Sequence, residues 1–331
     1  MPTETTGTKP IRSDQPGLVP GAAKGEAMQR SRGTHSPSQS VQAVENRDME
    51  RPVESATTHD QPELVIQATK GWSSINWGEL VHYRELLYFL VWRDLKVRYK
   101  QTALGVAWAV LQPLLSMIIF TVIFGRFAKM DSGGVPYAVF VYAALLPWTF
   151  FANSVAQGSQ SLVNQQHLLT KVYFPRMFVP LAPVGGSLVD LLISFGVYAG
   201  ILCWYGTVPS WGIVFVPLLV ILTTLAAAGT SLMLAALTVS YRDFRYVVPF
   251  MIQVWMYVSP VIYSIEIIPE RYRAIAGLNP MVGIISAYRS AILGAKWDFA
   301  SLAVSVVCTL TIFVTALFYF RSTERRFADI A

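Results

Sequence analysis

The chain has 331 residues, of which 53% are hydrophobic and only 14% charged, and its mean hydropathy is +0.43. A soluble domain carries about 25% charged residues, so this composition excludes an ordinary soluble protein, and the long unbroken apolar runs exclude a membrane β-barrel of short alternating segments. The net charge of +6 comes from cations that flank those runs, which excludes the clustered basic surface of a nucleic-acid-binding module.

Residues 1–71 are rich in Ser, Thr, Gln, Pro and Gly and poor in aromatics. Such a stretch cannot bury enough apolar surface to offset its ordering entropy, and it reads as a disordered tail. It has no apolar h-region near its start, so it is no cleaved secretory signal, and Met1-Pro2 offers no myristoylation site. Ordered structure is expected to begin near Trp72 and Trp77.

Residues 72–101 form an amphipathic interface region, and 102–331 the membrane domain. At helical spacing Leu86, Leu87, Leu90, Val91 and Leu95 share one side, and Arg93, Lys96 and Lys100 another. The pattern predicts a helix lying flat on the membrane, leucines down and cations among anionic headgroups.

Six segments have the length and apolarity of transmembrane helices: 102–124, 137–157, 178–205, 213–239, 246–264 and 299–320. The stretch 265–297 is partly apolar but broken by Pro269, Asn279-Pro280 and charges, which predicts re-entrant or interfacial half-helices before the last span. The fold class is therefore an all-α membrane protein of about six spans. Eleven loop cations fall on the side of the interface helix and six on the other, with Arg289 among the six. That excess predicts both termini in the cytoplasm and a multi-pass location in the cytoplasmic membrane. No internal repeat or pair of broken helices marks an inverted-repeat carrier.

Chemistry is sparse. No G-x-x-x-x-G-K-[ST] phosphate loop occurs, and no G-x-S-x-G elbow. His35, His59, His82 and His167 make no ligand spacing, and Cys203 and Cys308 sit in apolar runs as small hydrophobes. No catalytic, cofactor or metal residue is assigned. A transporter so built uses an ion gradient, a partner or passive flow. Asp190 is the clear ionisable group inside a span, where a carboxylate serves either as a proton relay or as a bond to a neighbouring helix. Glu266 and Glu270 are the one carboxylate pair near a membrane face on which a membrane enzyme would draw.

Residues 153–183 begin polar and end at His167, Leu168, Leu169 and Lys171 before a Pro-marked turn. They read either as a connecting loop or as an element that docks into a groove on another subunit. Trp108, Trp148, Phe150, Phe151, Trp255, Tyr257, Tyr263 and Tyr288 suit the interface belt or helix packing, and a subset suits a path for a sugar polymer. Gly196 and Gly200, at G-x-x-x-G spacing, permit close helix approach.

Several motifs in order, WRDLKVRYKQTALGVAWAVLQPL, LLPWTFFANSV, LLTKVYFPR, VSYRDFRYVVPF, YVSPVIYS and LNPMVGIISAYR, closely resemble the ABC-2 type permeases that export O-antigen, capsule and teichoic-acid polysaccharides. The resemblance runs from about Tyr83 to the C-terminus. It implies a half-transporter that dimerises and recruits two separately encoded ATP-binding subunits, which would hold the ATP and Mg2+. It implies contacts to those subunits at Arg93, Lys96, Gln166, His167, Leu168, Leu169 and Lys171. It also implies a dimer seam between the first and fifth spans, beside which Trp108, Trp148, Phe151, Trp255, Tyr257 and Tyr263 are candidate conduit residues. The expected cargo is a lipid-linked glycan. A small drug or lipid, or a gradient-driven carrier's substrate, is the alternative.

Overall fold

A computed structural model describes residues 77–100, 106–167 and 174–324. The tail 1–71 and the site candidates Leu168, Leu169 and Lys171 lie outside the described residues. All regular structure among the described residues is helical. Short α1 (Trp77–His82) precedes α2 (Arg84–Lys100). Helix α3 (Val106–Phe120) runs on as a π-helical turn, Thr121–Phe127. Then come α4 (Tyr137–Asn164) and α5 (Phe178–Tyr205), and a 3-10 turn, Trp211–Phe215, leading into α6 (Val216–Ser240). Helix α7 (Phe244–Val258), a 3-10 turn, Ile265–Ile267, then α8 (Glu270–Gly277), α9 (Pro280–Leu293) and α10 (Phe299–Glu324) complete the order.

Among the described residues five stretches are long and apolar enough to cross a bilayer: Ala107–Phe127, Tyr137–Asn164, Phe178–Tyr205, Trp211–Ser240 and Phe299–Glu324. The span expected at 246–264 divides instead. Helix α7 stops at Val258 and Ser259 turns extended, with φ −89° and ψ 144°. Pro260 follows; it has no N–H to give a helix and steers the residue before it out of the α region. Fifteen helical residues rise about 22 Å, short of the ~30 Å hydrocarbon core.

Helix α4 is the hub. It is buried along most of its length and packs against α3, α5, α6, α7 and α9. Ser231 of α6 donates to the Ser154 carbonyl at 3.1 Å, and Tyr198 of α5 to the Val139 carbonyl at 3.2 Å. The Tyr142 and Tyr198 rings stack at 5.4 Å. By contrast α3 is only lightly covered: Pro113 is buried, while Trp108, Leu111, Leu115, Ile118 and Ile119 are exposed.

The broken stretch resolves around α9. Its apolar residues 281–285 and 291–293 share one 14-residue helix, about 21 Å long, buried among α4, α6 and α10, while 274–277 end the separate α8. Asn279 caps it, its Oδ1 accepting from the Met281 amide at 3.0 Å, with Pro280 at the first turn. Gly294 ends it with φ +74°. A Cβ on Gly283 would stand 2.4 Å from the Ser301 carbonyl oxygen, so only glycine lets α9 approach α10 this closely.

One expectation is corrected here. The leucine face of α2 does not point at lipid. Leu90 is buried, and Leu86, Leu87 and Val91 pack against a core shared with Phe178, Leu232 and Phe320. The exposed face carries Tyr88, Phe89, Trp92, Lys96 and Val97. Apolar residues line both sides of the helix, so the leucine row marked the protein-facing side.

Candidate functional site

The chemistry-bearing residues gather where α2 lies on α5. Two adjacent glycines make the seat. A Cβ on Gly185 would meet Val91 Cγ2 at 2.7 Å, and one on Gly186 would stand 3.5 Å from Arg98 Nη2. With both side chains absent, α2 lies close against α5. One helical turn beyond this seat is Asp190, four residues after Gly186. Arg98 donates to Asp190 Oδ2, and Tyr99 donates to Asp190 Oδ1. Arg98 also donates through Nη2 to Gln157 of α4. A single carboxylate and a single guanidinium thus join α2, α4 and α5.

Both charges are largely withdrawn from water, with side chains 26% exposed at Arg98 and 15% at Asp190. Desolvation of each is repaid only because the pair is close and its remaining donors and acceptors are used. Burial, and then the bond to Asp190, hold the Tyr99 phenol well above the ordinary range. Its hydroxyl therefore remains a donor throughout the physiological range, and what it adds to stability is lost only as pH rises past about 10. Both oxygens of Asp190 are thus engaged by donors from α2.

A second link lies a turn and a half back along α2. Arg93 Nη2 reaches Asp94 Oδ1 at 2.8 Å and Gln165 Oε1, just past the end of α4, also at 2.8 Å. Beside the Arg98–Asp190 pair is a cavity of about 420 Å³, between α3 on one side and α4 and α5 on the other. Trp108 and Gln112 of α3 face Phe150, Asn153 and Gln157 of α4 across it, and Asp190 and Ser194 line its α5 wall. The first long apolar helix stands off from the body at this end.

At the other end of α7, residues 259–264 run without helical structure. Their carbonyls find donors in Arg289 of α9. Its guanidinium donates to the carbonyls of Pro260 at 2.8 Å, Val261 at 2.7 Å and Tyr263 at 3.0 Å. It lies over the Phe140 ring with 3.6 Å to the centroid. Arg289 is 6% exposed, and among the described residues it has no carboxylate partner. Tyr137 of α4 donates to the neighbouring Ile262 carbonyl at 2.6 Å. Irregular backbone away from water needs such donors.

The structure scatters the other expected residues. Lys96, Gln166 and His167 are exposed on the α2 side. Trp108 is exposed and lines the cavity. Trp148 and Phe151 are core residues, buried because α4 is surrounded on all sides. Trp255 donates to Asn279 Oδ1 at 2.9 Å and meets the Phe151 ring edge-on at 5.1 Å. Tyr257 is exposed, and Tyr263 donates to the carbonyls of Tyr257 and Val258 at 3.2 Å each. Gly196 and Gly200 have nothing within 4 Å of an added Cβ. Arg289, counted among loop cations, is instead buried inside the fold. Sequence reasoning singled out neither Gly185-Gly186, Tyr99 nor Gln157; a glycine pair one turn before the lone intramembrane acid was the available signal.

Among the described residues, five helices long and apolar enough to cross a bilayer, α4 the buried one among them, define a multi-pass membrane protein. The chain belongs to the ABC-2 type transporter family, whose model matches residues 85–293. It is 32% identical over 214 residues to the O-antigen export system permease protein RfbA of Myxococcus xanthus, covering 64% of this chain and 82% of that protein. To the RfbA protein of Klebsiella pneumoniae it is 30% identical over 251 residues, 74% of this chain and 95% of that one. The polysialic acid transport protein KpsM of Escherichia coli is 22% identical over 243 residues, 70% and 91% of the two chains.

Proposed function

We propose that this chain is the permease subunit of an ABC exporter that moves a lipid-linked, O-antigen-like polysaccharide across the cytoplasmic membrane. The observation that carries this reading is the match over nearly the whole length of O-antigen export permeases, within a family domain that starts in α2 and ends with α9. Two copies of this chain pair, and two copies of a separate ATP-binding subunit supply the hydrolysis, with ATP and Mg2+ bound there. The absence of a phosphate loop from the sequence supports that division of labour. The α2 side, which holds the larger share of loop cations, faces the cytoplasm with both termini.

In this mechanism ATP closes the partner subunits, and their movement is delivered to the exposed surface around α2 and the end of α4. The lightly covered helices α3 and α7 flank the seam between copies, which widens to admit the glycan. Asp190, which the gradient-driven alternative would draw on, is instead bonded to Arg98 and Tyr99 of α2, where it ties two helices together.

The test is reconstitution in vesicles with the purified ATP-binding subunit and a lipid-linked glycan. Transport is expected only with both subunits and hydrolysable ATP. Uphill transport by this chain alone, or ATP-driven movement of short amphiphiles and not of glycan, refutes the reading.

A further inference from the structure

The contacts of α2 differ sharply from those of α3, although only five residues, 101–105, separate the two helices. Helix α2 is seated on α5 through Gly185 and Gly186 and tied there by Arg98 and Tyr99 to Asp190. Helix α3 is exposed along most of its length and borders the 420 Å³ cavity. A force applied to α2 therefore has two possible outcomes. It moves α5, and with it the α4 hub, if α2 is fixed on its seat. It is weakened if the end of α2 shifts on α5, since Gly185 and Gly186 carry no polar side chain and the described side-chain bonds from α2 to α5 lie in the polar cluster at the end of the seat.

We propose that Asp190 is a positioning residue for transport: by holding Arg98 and Tyr99 it fixes the end of α2 on α5, so that displacement of α2 by the partner subunit moves the α4–α5 body as one piece. Gln157 shares in the work, because it ties the same guanidinium to α4. The glycine seat gives close approach and the carboxylate gives the seat its register. Packing brings α2 close to α5, and the two bonds to one carboxylate add direction to that contact. The assignment rests on the export reading above, and it gives the lone intramembrane acid a mechanical task.

The experiment uses the full complex with its ATP-binding subunit, in vesicles, with Cys203 and Cys308 replaced by serine. Asp190→Asn is expected to leave complex assembly and nucleotide hydrolysis near the parent level and to cut glycan moved per ATP by about tenfold, within the range of a typical coupling free energy. The rescue is a covalent seat. The Val91 Cβ lies 3.6 Å from the position of a Cβ on Gly185, inside the Cβ–Cβ range of about 3.5–4.5 Å that a disulfide spans. The pair Val91→Cys with Gly185→Cys, added to Asp190→Asn, is expected to restore transport on oxidation and to lose it again on reduction. A residue needed only for folding would show neither the split between hydrolysis and transport nor a redox-dependent recovery. If the same disulfide in the Asp190 parent stops transport, α2 must slide on α5 and the proposal is overturned. It is equally overturned if Asp190→Asn transports normally. A parent complex that moves no glycan removes the export reading and this proposal together, whereas failure of the disulfide arm alone removes only the positioning role.

Discussion

Replacing Arg289 by methionine tests whether the chain after α7 is held as described. Methionine preserves much of the side-chain bulk and removes every donor. The carbonyls of Pro260, Val261 and Tyr263, now 2.8, 2.7 and 3.0 Å from the guanidinium, would lose their partner at once. A buried acceptor left without a donor costs about 1–3 kcal/mol, so three give roughly 3–9 kcal/mol before any relaxation. Releasing the guanidinium from a site where it is 6% exposed returns part of that, which leaves a net loss near the lower part of the range, about 3–5 kcal/mol. At a few degrees per kcal/mol, the melting midpoint in detergent should fall by about 10 °C. Arg289→Lys keeps the charge but loses the planar fork that serves three acceptors together, and should fall between the two. Thermal unfolding of the purified protein followed by size-exclusion chromatography measures all three. A methionine variant within about 2 °C of the parent, equivalent to under ~1 kcal/mol, would refute the reasoning.

Gly283→Ala should destabilise by about 1–3 kcal/mol, the usual cost of overpacking, because its Cβ would stand 2.4 Å from the Ser301 carbonyl oxygen. Gly200→Ala, with open space around it, should leave the melting point of the isolated chain unchanged or slightly raised; equal effects at the two positions would contradict the packing of α9 on α10. Asn279→Ala removes the cap of α9 and strands the Trp255 indole N–H. It should cost about 1–3 kcal/mol and change Trp255 fluorescence, and a silent variant would count against the shared acceptor. Replacing residues 167–169 by Asp, Gly and Ser should abolish stimulation of the partner ATPase while membrane insertion, read by fractionation, stays intact. Unchanged stimulation would remove that segment from the docking surface.

The long spans were legible because an apolar run of bilayer length has few other readings. The 246–264 segment was not, since its apolar character continues past Val258 while Pro260 ends the helix. Composition could place 265–297 outside the ordinary spans, but not show that 280–293 is one buried helix, because Arg289 reads as a loop cation until its acceptors are seen. Helix α2 misled in a different way. Its leucine row was real, but Tyr88, Phe89 and Trp92 give the other side an apolar character too, and periodicity alone does not say which side meets protein. Asp190 was visible as an acid in a span. Its partners Arg98 and Tyr99, some 90 residues earlier, could be paired with it only in three dimensions. The aromatics divided along similar lines: Trp148 and Phe151 went to the core because α4 is enclosed, which no local pattern announces.

The arrangement of the chain that follows α7 has a wider consequence. The chain is pinned at Tyr263 by Arg289 and at Asn279 by Ser259 and Trp255, the Asn279 amide donating to Ser259 Oγ at 2.8 Å. Both moorings belong to the frame, and neither depends on the fifteen residues between them. A change of length within that interval therefore falls between two fixed points, and loop insertions so bounded are tolerated far better than insertions within a helix.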